Sequence, residues 1–199
     1  MRGGRAAVFL DRDGTLNEEV DFLRSPGEIV LIPGSAAAVR AFNASGIFTC
    51  VISNQSGVAR GFITEQDLIP IHAELERLLA LEGAKLDRIY YCPHHPDAGN
   101  PPYNIACDCR KPGTGMLTRG ERELGIDLER SVVVGDRLSD LRAGIAVGAT
   151  TVLVLTGYGM RALRECEAEQ VKPDFVSPSL AGAVEFIMHT LEGVQTKNA

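Results

Sequence analysis

Ala6-Ala7-Val8-Phe9-Leu10-Asp11-Arg12-Asp13-Gly14-Thr15 runs from an apolar stretch straight into two carboxylates and a glycine. The apolar part is too short for a membrane span or a signal-peptide core and ends in charge, so it reads as a buried strand. Asp11 then stands at the carboxyl end of that strand, where open α/β sheets bind ligands. Gly14 supplies a position at which the chain can turn sharply.

Working outward, apolar β-rich stretches recur at Phe48–Ile52, Arg88–Tyr91, Ser131–Val134 and Thr151–Val154, with a last short one at Asp174–Val176. Most are separated by enough residues for a crossover helix, which is the rhythm of a parallel α/β sheet. Helical patterns fall at Ser35–Ala44, Glu65–Leu81, Gly115–Leu124, Leu138–Val147 and Ser179–Leu191. Pro33 before the first and Gly125 after the third act as boundary signals, and Thr64 with Asp67 reads as an N-terminal cap. Pro70 is expected to kink the second helix, since it lacks an amide donor and crowds the preceding turn. The Thr196–Ala199 tail is expected to fray. A chain of 199 residues with no repeat or low-complexity tract fits one domain, expected to act as a monomer.

The formal net charge of −6 opposes a general affinity for nucleic acid or for anionic membranes, yet leaves individual basic residues free to converge on one phosphate. Three of the five cysteines, Cys92, Cys107 and Cys109, lie close to His94, which suits a metal better than a disulfide scaffold. With no signal-peptide pattern, this points to the cytoplasm. Cys92-Pro93-His94 and Cys107-Asp108-Cys109 together offer a tetrahedral set for Zn²⁺. Four protein ligands leave no open position, so the zinc is read as structural, ordering the adjacent Arg110-Lys111. The competing reading is a loop with ordinary reduced cysteines. His95 is assigned to packing or hydrogen bonding around the site, Cys50 to the core, and Cys166 to no function.

Asp136 follows the apolar Ser131–Val134 run and Gly135, so Asp11, Asp13 and Asp136 can meet at one edge of the sheet. Their mutual repulsion calls for a cation, and Mg²⁺ takes oxygen ligands of this kind. A carboxylate beside Mg²⁺ could attack phosphorus, while an acid two residues away protonates the leaving alcohol. Any one of these acids taken singly could be an ordinary turn residue. Ser53-Asn54-Gln55-Ser56-Gly57 sits at a second strand end with neutral donors suited to phosphate oxygens, and Arg110-Lys111 adds two cations. Ser53 and Lys111 could stabilise a transferring phosphoryl group. A polar turn and a solvated basic pair remain the alternatives.

In order along the chain, Asp11-Arg12-Asp13-Gly14-Thr15, Ser53-Asn54, Lys111 and Gly135-Asp136 through Asp140 closely resemble the four motifs of the haloacid dehalogenase-like phosphatases. The resemblance implies a doubly wound parallel sheet with a small flap and no large cap domain. It also implies a Mg²⁺-dependent phosphomonoesterase with Asp11 as nucleophile and Asp13 as acid and then base. Ser53, Asn54, Arg110 and Lys111 would hold the phosphoryl group, Asp11, Asp13 and Asp136 the Mg²⁺, and Asp140 would orient them from behind. In the resembling family a substrate-contacting segment matches Glu19, Val20, Asp21 and Phe22, within a flap of residues 17–25. Arg12, Gln55, Ser56 and Arg60 join it as substrate-binding residues, as does Arg137 in a place often filled by Lys. The run from Ser53 to Gly61, the Cys92–Pro96 segment and Cys107-Asp108-Cys109-Arg110-Lys111-Pro112 are most similar to the branch that takes the 7-phosphate from a heptose 1,7-bisphosphate. The implied partner is therefore a small phosphorylated sugar. Histidinol-phosphate phosphatases share the zinc and Cys-Arg-Lys-Pro pattern, and an inactive phosphate-binding protein is the reading from another class. The loop Asp97–Ala106, longer than in some relatives, is expected to alter the rim of the site.

Overall fold

The computed structural model describes residues 4–195. Its strands are β1 (Ala7–Leu10), β2 (Phe48–Asn54), β3 (Arg88–Cys92), β4 (Val132–Gly135), β5 (Thr150–Val154) and β6 (Phe175–Ser177). They form one sheet in the order β3-β2-β1-β4-β5-β6, and every neighbouring pair is parallel. The helices are α1 (Ser35–Ala44), α2 (Ser56–Ala59), α3 (Glu65–Leu81), α4 (Gly115–Leu124), α5 (Leu138–Ala146), α6 (Gly159–Ala168) and α7 (Leu180–Gln195).

Alternation along the central strands sorts their side chains to two cores. Val8 and Leu10 of β1 join Val51, Val132 and Val134 on one face, packed with Phe42 of α1, Leu75 of α3 and Ile187 of α7. Ala7 and Phe9 join Cys50, Ile52 and Val133 on the other, packed with Leu117 of α4 and Ala143 of α5. Helices therefore cover both faces, and β1 and β4 are buried throughout. Full burial of a side chain such as Phe9 stabilises the fold by roughly 1.5–3 kcal/mol. After β1 the chain winds outward to β2 and β3, then returns to place β4 on the other side of β1. The carboxyl ends of β1 and β4 flank the topological switch point, the place where such sheets leave a crevice.

The helices expected at Ser35–Ala44, Glu65–Leu81 and Gly115–Leu124 have those limits. Thr64 caps α3 reciprocally, its Oγ1 accepting from the Asp67 amide at 3.3 Å while Asp67 Oδ2 accepts from the Thr64 amide at 2.7 Å. That helix runs on through Pro70. Two helices escape the sequence reading. One is the single turn α2; the other is α6, whose charge-rich sequence buries only Gly159, Ala162 and Cys166 and so carries little apolar signal. The tail expected to fray lies outside the described residues. Among those described, no helix is long and apolar enough to cross a membrane.

Candidate active site

Asp11 emerges from β1 with 5% of its surface exposed. Lys111, in the loop before α4, places Nζ 2.9 Å from Asp11 Oδ1 and 2.6 Å from Asp140 Oδ1, and donates to the Ile52 carbonyl at 2.7 Å. These partners match the three hydrogens of its ammonium group. Burial works against the Lys111 charge, but the two carboxylates outweigh it and hold the group above its ordinary value. Burial pushes the Asp11 carboxyl up to about 6, with Lys111 opposing and Asp140 and Asp13 adding.

Asp136 follows β4 and is wholly buried. Burial, followed by the charges of Asp11 and Asp140, pushes its carboxyl up to about 8. Its Oδ2 accepts from the Tyr158 amide at 2.7 Å, whereas its buried Oδ1 has no protein partner. Oxygens of Asp11, Asp136 and Asp140 lie within 4.8 Å of one another. Three buried carboxylates sharing one lysine, with an oxygen left unpaired, are short of positive charge, and a hard cation that takes oxygen ligands fits that deficit. Gly14 makes room for the cluster: at φ +78°, a Cβ there would lie 2.2 Å from Asp136 Oδ2.

The Asp13 carboxylate is not part of this cluster, whereas Asp140 is. Arg12 forks onto Asp13 through Nε at 3.0 Å and Nη2 at 2.7 Å, and Asn17 and Gln55 donate at 2.9 and 3.1 Å. Burial alone would raise the Asp13 carboxyl, but these donors together hold it below its ordinary value. Arg12 is itself 0% exposed and does not line the cleft described below, so it supports Asp13 from behind.

Ser53, at the end of β2, accepts from Gln55 Nε2 at 2.7 Å and keeps its own hydrogen to give. The amide of Asn54 is engaged at both ends with the Lys111 backbone, donating to its carbonyl at 3.0 Å and accepting from its N–H at 3.0 Å. Its side chain therefore positions Lys111.

A cleft of about 340 Å³ opens above this floor. Of the expected residues, Asp11, Asp13, Ser53, Asn54, Arg110, Lys111 and Asp140 line it, together with Glu19, Asp21, Phe22, Gln55, Ser56, Arg60 and Arg137. Val20 does not: it is 41% exposed and off the cleft. Asp136 lies beneath the floor. Arg137 reaches the rim already paired with Glu19 Oε2 at 2.9 Å. Ser139, His95 and Tyr158 also line the cleft and were not foreseen there. Tyr158 was within reach of the strand-end rule, since Thr156-Gly157-Tyr158 follows β5 as Asp11 follows β1.

Beside the cleft, Cys92, His94, Cys107 and Cys109 converge, their ligand atoms within 4.8 Å of one another. The sulfurs are 3.4 Å (Cys92 to Cys107), 3.2 Å (Cys107 to Cys109) and 2.9 Å (Cys92 to Cys109) apart, and His94 Nδ1 is 3.4 Å from Cys109 Sγ. Three sulfurs and an imidazole nitrogen at the corners of a small tetrahedron are the donor set of a closed zinc site. Arg110, next along the chain, donates to the His94 carbonyl at 3.2 Å.

The doubly wound sheet, with an acid at the end of β1 and others after β4, defines a hydrolase of the haloacid dehalogenase-like class. A family model described as "HAD-hyrolase-like" matches residues 108–183. The D-glycero-D-manno-heptose-1,7-bisphosphate 7-phosphatase of Thermosynechococcus vestitus is 42% identical over 92% of this chain and 95% of its own. The D-glycero-beta-D-manno-heptose-1,7-bisphosphate 7-phosphatase of Photorhabdus laumondii is 42% identical over 85% and 89%. The crystal structure of D,D-heptose 1.7-bisphosphate phosphatase from B. bronchiseptica, complexed with magnesium and phosphate, superimposes with a TM-score of 0.81 at 36% identity, covering 92% of this chain and 98% of that one. The chain belongs to the heptose-1,7-bisphosphate 7-phosphatase family, phosphomonoesterases of the haloacid dehalogenase-like superfamily.

Proposed function

We propose that the protein hydrolyses the 7-phosphate of D-glycero-D-manno-heptose 1,7-bisphosphate, leaving heptose 1-phosphate. The observation that carries the reading is Asp11: a buried carboxylate at a strand end, open to a sugar-sized cleft and held by Lys111 at 2.9 Å. Full-length similarity to 7-phosphatases supports the choice of substrate.

In this scheme an Asp11 oxygen attacks phosphorus in line with the leaving sugar oxygen, forming an aspartyl phosphate as the P–O bond to the sugar breaks. Asp13 gives its proton to that oxygen, then withdraws one from the water that hydrolyses the aspartyl phosphate and frees inorganic phosphate. The grip of Arg12 on Asp13 suits the second, basic role as it stands; the acidic role requires that grip to loosen when substrate enters. Once Asp11 is phosphorylated its own charge is gone, and Lys111 can turn to the dianionic phosphoryl oxygens while Ser53 donates its hydroxyl hydrogen. Arg110 and Arg60 at the rim suit the phosphate at the far end of the sugar, so the scissile ester is held by contacts remote from it. Mg²⁺ held by Asp11, Asp136 and Asp140 would neutralise their charge and polarise the phosphoryl group. Zn²⁺ held by Cys92, His94, Cys107 and Cys109 would order the loop that carries Arg110 and Lys111. Thiolate ligands of this kind need a reducing compartment, which fits the cytoplasm.

Phosphorus NMR of the reaction tests the substrate reading. The expected result is loss of the 7-phosphate resonance with heptose 1-phosphate remaining, at an efficiency well above that for histidinol phosphate or monophosphorylated sugars. Preferential loss of the 1-phosphate, or faster turnover of histidinol phosphate, defeats it.

A further inference from the structure

The flap spans the cleft and is fastened on both sides. Toward α3, the rings of Phe22 and Phe62 meet edge-on with centroids 4.8 Å apart, Arg24 lies 5.0 Å from the Phe62 centroid, and Arg60 lies 5.7 Å from the Phe22 centroid. Toward α5 and α6, Glu19 pairs with Arg137 at 2.9 Å, and the Tyr158 hydroxyl donates to Asp21 Oδ1 at 2.5 Å. Asp21 is one of two non-glycine residues with positive φ among those described, at 56°.

The two fastenings differ in what lies behind them. The aromatic side ends in exposed side chains. Tyr158, by contrast, touches the flap with its hydroxyl and the carboxylate cluster with its backbone, where its amide donates to Asp136 Oδ2 at 2.7 Å. Its neighbours wedge it there. Gly157 packs so tightly that a Cβ would lie 2.3 Å from Asp136 Oδ2 and 2.6 Å from Gly14 Cα, and Thr156 Oγ1 donates to the Gly14 carbonyl at 2.5 Å. The Arg137 guanidinium covers the Tyr158 ring at 4.0 Å from its centroid. The other Asp136 oxygen is buried with no protein partner.

We propose that Tyr158 is a positioning residue that couples closure of the flap to cation occupancy of the Asp11, Asp136 and Asp140 cluster. The coupling rests on the cation reading given above. A cation that draws Asp136 into fixed orientation fixes the Tyr158 amide, the amide fixes the ring, and the ring holds Asp21. Linkage makes the effect reciprocal: whatever frees the flap weakens cation binding by the same factor.

The test uses the full chain without substrate. Trypsin cleavage after Arg24, followed by mass spectrometry, reports flap opening, and calorimetric titration with Mg²⁺ reports affinity. Mg²⁺ slows cleavage at Arg24 in the wild type. Tyr158→Phe keeps the ring and the amide but loses the flap contact, so the protection and the Mg²⁺ affinity each fall about 5-fold. Asp21→Ala, from the exposed partner, gives the same losses, and the double variant gives no more than either, because both remove one bond. Retention of protection and affinity in Tyr158→Phe and Asp21→Ala, with loss of both in Asp136→Asn, overturns the coupling and leaves the cation site standing. Retention in Asp136→Asn as well removes the cation reading and the coupling together.

Discussion

The carboxylate floor and the Cys/His loop both hold polar groups in fixed positions, and they do so by opposite means. Asp11, Ser53 and Asp136 are set by strands buried in the core, so their placement follows from packing and survives the repulsion among the acids. Between Cys92 and Gly115 there is no helix or strand. That loop is held by its Cys/His cluster, proposed above as a zinc site, and a few tethers: the hydroxyls of Tyr91 and Tyr103 each donate to Glu65 at 2.8 Å, and the Asn100 amide donates to the Ala59 carbonyl at 3.1 Å. A scaffold-borne site separates chemistry from stability, whereas a ligand-borne loop joins them.

Asp11→Asn gives the widest separation. We expect turnover to fall by about 10⁴-fold or more, as for loss of other covalent nucleophiles, while the melting temperature stays within a few degrees. Removing one of several crowded buried acids relieves repulsion even as Lys111 loses a partner. Phosphate release and calorimetry measure the two arms, and a collapse of the fold would show that the floor is not scaffold-borne.

Metal stripping should break the loop instead. We expect one zinc per chain by metal analysis, and we expect its removal to lower activity by about 10- to 100-fold. Proteolytic cuts should appear between Cys92 and Cys109 and disappear when zinc is restored. A zinc-free protein with full activity and a protected loop would defeat the structural role.

Glu65→Ala sharpens the comparison at the low end. It leaves two tyrosine hydroxyls without their acceptor at part-buried positions, a loss of about 1–3 kcal/mol, which in a chain of this size lowers the melting temperature by roughly 2–4 °C per kcal/mol. Activity should fall less than on zinc removal. An unchanged melting curve would mean that the ligands alone hold the loop.

The strands and most helices were legible because the signal is local: a short apolar run ended by acid, or a cap such as Thr64 with Asp67. Helix α6 was not, since charged residues occupy most of its surface and its buried positions are small. The Cys/His cluster was legible from spacing alone, because two pairs of ligands each two residues apart can close on a metal after a single loop closure.

By itself the sequence determined which chemical groups stand at the strand ends, since a residue that follows a buried strand has no other place to go. Only the tertiary structure decided how those groups divide the work. It paired Asp13 with Arg12 and brought Asp140 into the cluster. It also used Arg137 and Tyr158 to grip the flap across 118 and 137 residues of chain. Those choices depend on how loops from β1, β4 and β5 pack against one another above the sheet. No periodicity along the chain encodes such packing, because it arises where strands distant in sequence become neighbours in space.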